Sequence, residues 1–481
     1  MNPNLEAYQN YWAVNGVVFR RYIKAALVIT AVLLGYLLIE EHYRYLIVAI
    51  VPVAVIMCVS NPRLAVYQFM VLLFSNAMFS RSPVILWLDL SACLLVCAAM
   101  LDFLLEYAPP RGFPKLTLNW VLLLVALFIT SVAGHNFMLG LKPMARITLM
   151  AATFLSVYRL SRHFTLRHLV TLFFWLAVLN AFIALSPLAV SQQADRLFGL
   201  GRKTLDDIMM ITLPMGLAFY LWSDKKTAPL YLLGSGFIFL TLLATQSRLP
   251  TMFALAFSAL VMFLALRLIG RKKASGEARS DSIKSRATVV RTRRRTKLTL
   301  LFGTVLVAVM VALRPEVMTV IWQRFESLIT QTTGGSVAQR LVLWGNAWHA
   351  FRDNPLFGLG PGNFDVIQLI YYYLRFDPIQ VYVHGLSAHN LILHYMAETG
   401  IVGTSVLIAL LIRQLRLARA QFSVDKAQSD PVIAIILYVL AAMFLINAFF
   451  EAAWMWGQMS FVFVFFLALI VRSHDRTCSV R

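Results

Sequence analysis

The sequence predicts an all-α polytopic membrane protein with about 12 transmembrane helices, within a range of 12–14. Of its 481 residues, 60% are hydrophobic and only 14% are charged, whereas about a quarter of the residues in soluble domains are charged. The mean hydropathy is +0.73, and apolar runs approaching the roughly 20 residues that a spanning helix needs recur along the chain. These runs lie near residues 24–39, 45–60, 64–80, 84–106, 117–133, 146–160, 168–188, 207–222, 229–246, 250–269, 298–314, 390–412, 431–449 and 457–472.

The net charge of +21 is concentrated between the predicted spans. Residues 271–297 carry eleven Lys or Arg against two acids. Short predicted loops hold further basic residues: Arg111, Lys115, Arg162, Arg167, Lys225, Lys226, Arg413, Arg416 and Arg419. Alternating the spans puts all of these and both termini on one side, which the positive-inside rule makes cytoplasmic. The 271–297 segment is interpreted as a solvated loop that touches anionic membrane lipids, with nucleic-acid binding as a remote alternative.

Three parts follow from this topology. Residues 1–314 form an N-terminal transmembrane bundle, residues 315–388 form a loop domain on the outer side, and residues 389–481 form C-terminal transmembrane helices. The loop domain is too long to be a mere connector. A second outer loop, 191–207, is shorter. In a Gram-negative source, the outer side is the periplasm.

The loop domain contains a segment with helical periodicity. In "SVAQRLVLWGNAWHAFRDNPLFGLGPGNF" (336–364), Arg340, Trp344 and Trp348 recur every four residues and therefore share one helix face. A neighbouring apolar face is supplied by Leu343, Ala347 and Ala350. The glycines and prolines that follow Asn354 predict a tight turn. The alternative, a nucleotide-binding loop, lacks a preceding strand, a G-x-G-x-x-G pattern and a Walker lysine.

The stretch "LSAHNLILHYMAETGIVG" (386–403) begins a predicted span with polar residues. Ser387 is predicted as the N-cap, which puts His389 at the second helical position and Asn390 at the third. The partial positive charge at a helix N-terminus disfavours an imidazolium, so His389 is predicted to be neutral and able to accept a proton.

A second polar stripe runs into the same span. Asn390, His394 and Glu398 follow at four-residue spacing. Ionisable groups within a span generally face the protein interior and have a partner or a function. His394 and Glu398 are interpreted as a hydrogen-bonded seam between helices, and a functional role for His389 is favoured.

Arginines on the outer side suggest a phosphorylated substrate. Arg248 lies where two spans meet, and Arg196 and Arg202 lie in the 191–207 loop. The planar guanidinium binds phosphate oxygens in a bidentate manner. Asp206-Asp207 is the nearest candidate for a metal site on this side, but it is interpreted as a helix start, and neither a metal nor a cofactor is expected.

Five motifs together resemble those of the O-antigen ligases, within the O-antigen ligase and polymerase superfamily. They are Ser247-Arg248, R-x-x-x-W at Arg340 and Trp344, D-N-P-L-x-G-x-G at 353–360, A-H-N at 388–390 and E-T-G-I-x-G at 398–403. Their order and topology agree over residues 191–412, whereas the first half resembles the family only as a helix bundle.

The resemblance implies an enzyme of the bacterial inner membrane. It implies about 12 spans in a GT-C-like arrangement and a periplasmic site between the loop domain and the bundle. His389, Arg340 and Arg248 take the positions of essential catalytic residues, and Arg196, Arg202, Trp344 and Asn390 are assigned to substrate binding. The donor is expected to be a glycan on undecaprenyl diphosphate, and the acceptor the lipid A–core.

The expected chemistry is compatible with these residues. Diphosphate is a good leaving group, so the arginines need only stabilise its charge while His389 activates the acceptor hydroxyl. This predicts a metal-independent, inverting glycosyl transfer. An O-antigen polymerase, a protein O-oligosaccharyltransferase and a lipid-linked glycan transporter remain as alternatives. The mostly apolar spans and the lack of an obvious internal repeat count against the transporter.

Overall fold

The computed structural model describes residues 62–75, 84–105, 114–185, 202–245, 248–274, 294–295, 297–299, 335–367, 387–422, 430–451 and 458–478. The described residues are helical and contain no strand, which confirms the all-α prediction. The helices are α1 (Pro62–Ser75), α2 (Val84–Leu105), α3 (Thr117–Ala133), α4 (Phe137–Leu160), α5 (Leu166–Ala184), α6 (Arg202–Trp222), α7 (Ala228–Ala244), α8 (Arg248–Ala274), α9 (Gly335–Asp353), α10 (Phe364–Ile367), α11 (Leu391–Arg419), α12 (Pro431–Asn447) and α13 (Gln458–Cys478).

The chain divides into two compact units, Met1–Gln68 and Phe69–Arg481. Only residues 62–68 of the first unit are among the described residues. All contacts discussed below lie within the second unit.

Several described helices are suited to a membrane. Six are long and apolar enough to cross one: Phe137–His163, Leu166–Ala184, Leu205–Trp222, Leu249–Arg267, Leu391–Arg419 and Gln458–Asp475. Shorter apolar helices are Arg63–Phe74, Ser91–Leu104, Thr117–Ala133, Ala228–Ala244 and Pro431–Asn447. Each of these helices overlaps a predicted run. The predicted runs 24–39 and 45–60, and all but the first two residues of 298–314, lie outside the described residues, so the total of about 12 spans stays a prediction.

Helices α6 and α13 are buried on nearly all sides. In the apolar 18-residue stretch of each of these two helices, 94% of the residues are buried, whereas 28% are buried in the corresponding stretch of α8. α6 packs against α7, α8 and α12, and α13 packs against α4. A helix that is apolar all round is expected in such a position. In contrast, α3 exposes large apolar side chains on one face, including Leu118, Val121, Leu122, Val125 and Phe128, as expected for a surface that faces lipid.

A buried cation connects three helices. Arg146 on α4 forms an ion pair with Asp89 on α2, and its Nη2 donates to Ser460 Oγ on α13 at 3.1 Å. The guanidinium also lies 4.3 Å from the ring centroid of Phe461. The predicted span placed Arg146 at its first residue, but α4 begins nine residues earlier, at Phe137. A charge at this depth is tolerated because it is paired inside the bundle.

Helix α11 continues past its predicted end. Arg413, Arg416 and Arg419 were predicted in a loop, whereas α11 extends to Arg419. Arginine has a high helix propensity, and cations in the last turn interact favourably with the partial negative charge there. Arg413 is further held by a hydrogen bond from its Nη1 to Asn119 Oδ1 on α3, at 2.7 Å.

One arginine of the basic 271–297 segment is buried. Arg295 is 7% exposed, and its guanidinium donates to carbonyls at the C-terminal end of α6. The acceptors are Tyr220 O at 2.8 Å, Leu221 O at 3.3 Å, Ser223 O at 2.6 Å and Asp224 O at 3.4 Å. The prediction of a wholly solvated loop is therefore wrong at this residue, because the last carbonyls of a helix lack partners within it.

Replacing Arg295 with alanine should destabilise the protein. Hydrogen bonds from charged groups contribute about 1.5–3 kcal/mol each, so we expect a loss of at least about 2 kcal/mol and a clear fall in the thermal unfolding temperature in detergent. The matched control is Arg294→Ala, because Arg294 is the exposed neighbour. Equal unfolding temperatures for the two variants would show that the hydrogen bonds from Arg295 to the end of α6 contribute nothing to stability.

Candidate functional site

The two glycine-containing motifs of the sequence form one structural unit. α11 is kinked at Gly400, where φ is 58° and ψ is −156°, and residues 354–363 (the 354–363 turn) pack into the kink. Four backbone groups of α11 that would pair with each other in a regular helix pair with the turn instead. The hydrogen bonds are Leu359 N to Ala397 O (2.9 Å), Gly360 N to Glu398 O (2.8 Å), Ile401 N to Pro355 O (2.9 Å) and Val402 N to Leu356 O (3.3 Å).

Glycine is required at this contact by conformation and by space. A Cβ on Gly358 would lie 2.4 Å from the carbonyl carbon of Glu398, and a Cβ on Gly400 would lie 2.4 Å from that of Leu356. Both glycines also have positive φ values, 68° and 58°, which other residues rarely adopt. The glycines thus permit two backbones to approach each other, in agreement with the prediction of a structural turn.

The other side of the 354–363 turn contacts the connection between α3 and α4. His135 N donates to Leu359 O at 3.0 Å, and Asn363 Nδ2 donates to Asn136 O at 3.2 Å. A Cβ on Gly134 would lie 2.6 Å from the Cα of Gly360. The turn is therefore fixed between α11 and the α3–α4 connection.

Glu398 joins α11 to the end of the turn through its side chain as well. Its Oε1 accepts from Gly362 N at 2.8 Å and from Phe364 N at 3.4 Å, and its Oε2 lies 3.5 Å from His394 Nε2. Glu398 is 2% exposed and His394 is 1% exposed. This geometry is that of a buried seam between a helix and a turn.

Asp365, next to this seam, carries an unusual carboxyl. Its Oδ1 is buried and has no hydrogen-bond partner among the described residues. Burial raises the pKa of Asp365 to about 6. The folded protein therefore takes up this proton at a higher pH than the unfolded chain does. The contribution of Asp365 to stability is greatest at low pH and is lost as the pH rises through about 6.

Asp365→Asn should stabilise the protein at neutral and alkaline pH. We expect a higher thermal unfolding temperature than wild type at about pH 8, and a smaller difference at about pH 4.5, where the carboxyl is mostly protonated in the folded state. Glu398 interacts electrostatically with Asp365, so the pH-dependent difference reports on the two carboxyls together. Asp353→Asn is the control, because the Asp353 side chain is 43% exposed. A gain that does not depend on pH would contradict this account.

His389 lies just before α11 and not within it. The N-cap is Asn390, whose side chain accepts from Leu393 N at 3.0 Å. The prediction of Ser387 as the N-cap, with His389 and Asn390 in the first turn, is therefore wrong. Asn caps a helix as well as Ser does, and His389, just ahead of the cap, takes a left-handed conformation with φ of 48°.

Four residues that follow α12 bring three helices together. These residues, 448–451, are called the 448–451 turn here. Ala448 O accepts from Leu391 N of α11 at 2.8 Å, and Phe450 O accepts from Arg340 Nη1 of α9 at 3.3 Å. The Phe450 ring packs edge-on against Phe253 of α8, with centroids 5.4 Å apart. Helices α8 and α9, which carry Arg248 and Arg340, and α11, which follows His389, thus all contact this turn.

The last residue of the turn contacts His389 directly. Glu451 Oε1 lies 3.3 Å from His389 Nδ1. The side chains are 7% and 22% exposed, respectively. Sequence reasoning missed Glu451. The available signal was an acid in the otherwise apolar stretch "NAFFEAAW" between two predicted spans, where a charge needs a partner.

The other predicted site residues are placed only in part. Arg248 is the first residue of α8 and Arg202 the first of α6, but their side chains, like Arg196, lie outside the described part of the chain. Trp344 lies on α9 with its indole nitrogen buried and without a hydrogen-bond partner among the described residues. Asn390 serves as a helix cap, which occupies its side-chain oxygen.

Helix α9 has the two faces that the sequence predicted. Its apolar face, Leu343, Ala347 and Ala350, is 0% exposed. α9 packs against α11, which explains that burial. Trp348, on the other face, is 50% exposed. The predicted aspartate pair lies inside α6 beyond its first turn, and Asp206 and Asp207 are both buried.

Most residues of this site lie in a segment that is similar to a known protein family. The family model described as O-Antigen ligase matches residues 233–408. No curated protein matches the chain. The matched range contains Arg248, Arg340 and His389, whereas Glu451 lies beyond it. Residues 233–408 are thus similar to the O-antigen ligase family.

Proposed function

We propose that the protein is an O-antigen ligase of the bacterial inner membrane that transfers a glycan from undecaprenyl diphosphate to lipid A–core, completing lipopolysaccharide. Members of this family are membrane enzymes of the glycosyltransferase type, and their substrates are lipid-linked glycans. The site faces the periplasm, both termini are cytoplasmic, and the spans, about 12, have a GT-C-like arrangement. The proposal is carried by the convergence of the His389 and Arg340 side chains on adjacent residues of the 448–451 turn.

The reaction is a single displacement. His389 accepts the proton of an acceptor sugar hydroxyl, and the hydroxyl oxygen attacks the anomeric carbon of the donor. The bond from that carbon to the diphosphate oxygen breaks, and the electron pair leaves with the diphosphate. Arg340 and Arg248 stabilise the charge that develops there. Attack from the face opposite the leaving group inverts the anomeric configuration.

The remaining predicted residues have supporting roles in this proposal. Arg196 and Arg202 contact the donor phosphates or their nearest sugars, and the half-exposed α9 face with Trp344 contributes to substrate binding. Asn390 contributes by fixing the start of α11 next to His389. Apart from the buried Arg295, the basic 271–297 segment contacts anionic lipid headgroups on the opposite side of the membrane, and it takes no part in transfer.

Acceptor choice tests this function against its alternatives. Purified protein should be given an undecaprenyl-diphosphate-linked glycan together with lipid A–core, a second lipid-linked glycan or a serine-containing protein acceptor. We expect transfer to lipid A–core only. Elongation of the lipid-linked glycan would identify a polymerase, transfer to serine would identify a protein O-oligosaccharyltransferase, and movement of uncleaved donor between leaflets would identify a transporter.

A further inference from the structure

The contact between His389 and Glu451 fixes the orientation of the imidazole. His389 Nδ1 lies 3.3 Å from Glu451 Oε1, and Glu451 is almost completely buried. The backbone around the pair is held as well, since Leu391 N donates to Ala448 O at 2.8 Å. The left-handed φ of 48° at His389 is uncommon for a residue other than glycine. Such a conformation persists only where its surroundings hold it in place.

The second ring nitrogen is left available. Among the described residues, no hydrogen bond to His389 Nε2 is present, and the side chain keeps 22% exposure. A carboxylate accepts hydrogen bonds and cannot donate them, so pairing with Glu451 puts the proton on Nδ1 and the lone pair on Nε2. Three charged or titratable side chains lie on the elements packed around His389. Glu451 contacts the ring directly, Arg340 from α9 donates to Phe450 O one residue before Glu451, and His394 from α11 interacts with His389 electrostatically.

We propose that Glu451 is a positioning residue that sets the tautomer of His389 and stabilises its imidazolium during transfer. The inference rests on the proposed function. Glu451 accepts the Nδ1 proton, so that Nε2 can take the proton of the acceptor hydroxyl as the new glycosidic bond forms. The resulting imidazolium then lies beside a carboxylate, and the proton on Nε2 passes to solvent after the diphosphate has left.

Glu451→Gln tests this role in the full-length protein. The amide removes the negative charge with little change of shape, and removing the corresponding carboxylate in a serine protease costs about 10⁴-fold in turnover. We expect a loss of turnover of about 10²-fold or more here, with a much smaller change in the KM for the donor. Glu451→Asp keeps the charge but withdraws it from Nδ1, so we expect a smaller loss of turnover. It also provides a second variant if the amide impairs folding.

A second readout does not depend on transfer activity. Diethyl pyrocarbonate modifies neutral imidazole, and mass spectrometry of the peptide that contains His389 gives its modification rate at each pH. The accessible Nε2 reacts only when it carries the lone pair, and Glu451 is proposed to fix that tautomer. The modification rate of His389 at a given pH should therefore fall in Glu451→Gln. A purely structural role for Glu451 would leave the rate unchanged.

The outcomes separate this inference from the proposed function. If turnover and the modification rate of His389 both fall, Glu451 positions His389. If either turnover or the modification rate is that of wild type in a folded Glu451→Gln protein, the positioning role is wrong. Failure of the proposed function has a different signature, because His389→Ala would then retain full transfer activity. In the His389→Ala background, Glu451→Gln should cause no additional loss.

Discussion

Replacing His389 with alanine should lower turnover by about 10²–10⁴-fold, the usual contribution of a general base, which corresponds to roughly 3–5 kcal/mol. Binding of the lipid-linked donor should survive, because donor binding is assigned to the arginines. Wild-type turnover should fall on the acidic side, since an imidazolium has no lone pair with which to accept a proton. Steady-state kinetics over a range of pH, with donor binding measured separately, checks both expectations.

His135→Ala is the matched control for this experiment. His135 is an exposed histidine next to the 354–363 turn, and its loss should leave turnover unchanged. The seam variants His394→Ala and Glu398→Gln should mainly lower the thermal unfolding temperature. Near-normal turnover and an unchanged pH profile in His389→Ala would mean that His389 only contributes to the seam. The proton acceptor would then have to be another residue, with Glu398 as the first candidate.

Replacing Arg340 with alanine should remove most transfer activity without unfolding the bundle. Loss of one preorganised donor at a developing negative charge typically costs about 10²–10³-fold in turnover. Arg340→Lys should restore only part of the activity, because an ammonium group cannot reproduce the bidentate guanidinium contact. The hydrogen bond from Arg340 to Phe450 O is a partly exposed contact, so the unfolding temperature should change little.

Arg352→Ala controls for loss of positive charge on the same helix. The Arg352 side chain is 63% exposed and lies near the end of α9, and its removal should leave transfer intact. Arg248→Ala should resemble Arg340→Ala if the two arginines act on one diphosphate. Full activity in both lysine variants, Arg340→Lys and Arg248→Lys, would mean that these residues only set the local electrostatic potential.

The sequence predicted the helices well because their cause is local. Apolar runs of the required length indicate spans, and the periodicity of α9 correctly predicted its buried face, Leu343, Ala347 and Ala350. Helix ends were less accurate. Asn390 and Ser387 are comparable caps, so the start of α11 depends on which backbone groups tertiary contacts already satisfy.

The arrangement of the site could not be predicted in the same way. The glycines at 358 and 400 indicate turns or close backbone approach. No local rule, however, predicts that Gly358 packs against the backbone of Glu398 and Gly400 against the backbone of Leu356. Glu451 and His389 are 62 residues apart, and only the packing of α11 against the end of α12 brings them together. The burial of Arg295 could not be predicted for a related reason. In the sequence, nothing distinguishes this arginine from the exposed basic residues beside it.

The anomeric configuration of the product tests the central claim most directly. The purified protein should be supplied with a donor of known anomeric configuration and with lipid A–core, and the new glycosidic linkage should be determined by NMR. A single displacement with His389 as the base predicts the inverted configuration at the transferred sugar. Retention of configuration would require two displacements and a nucleophile on the protein, and it would contradict the role assigned to His389.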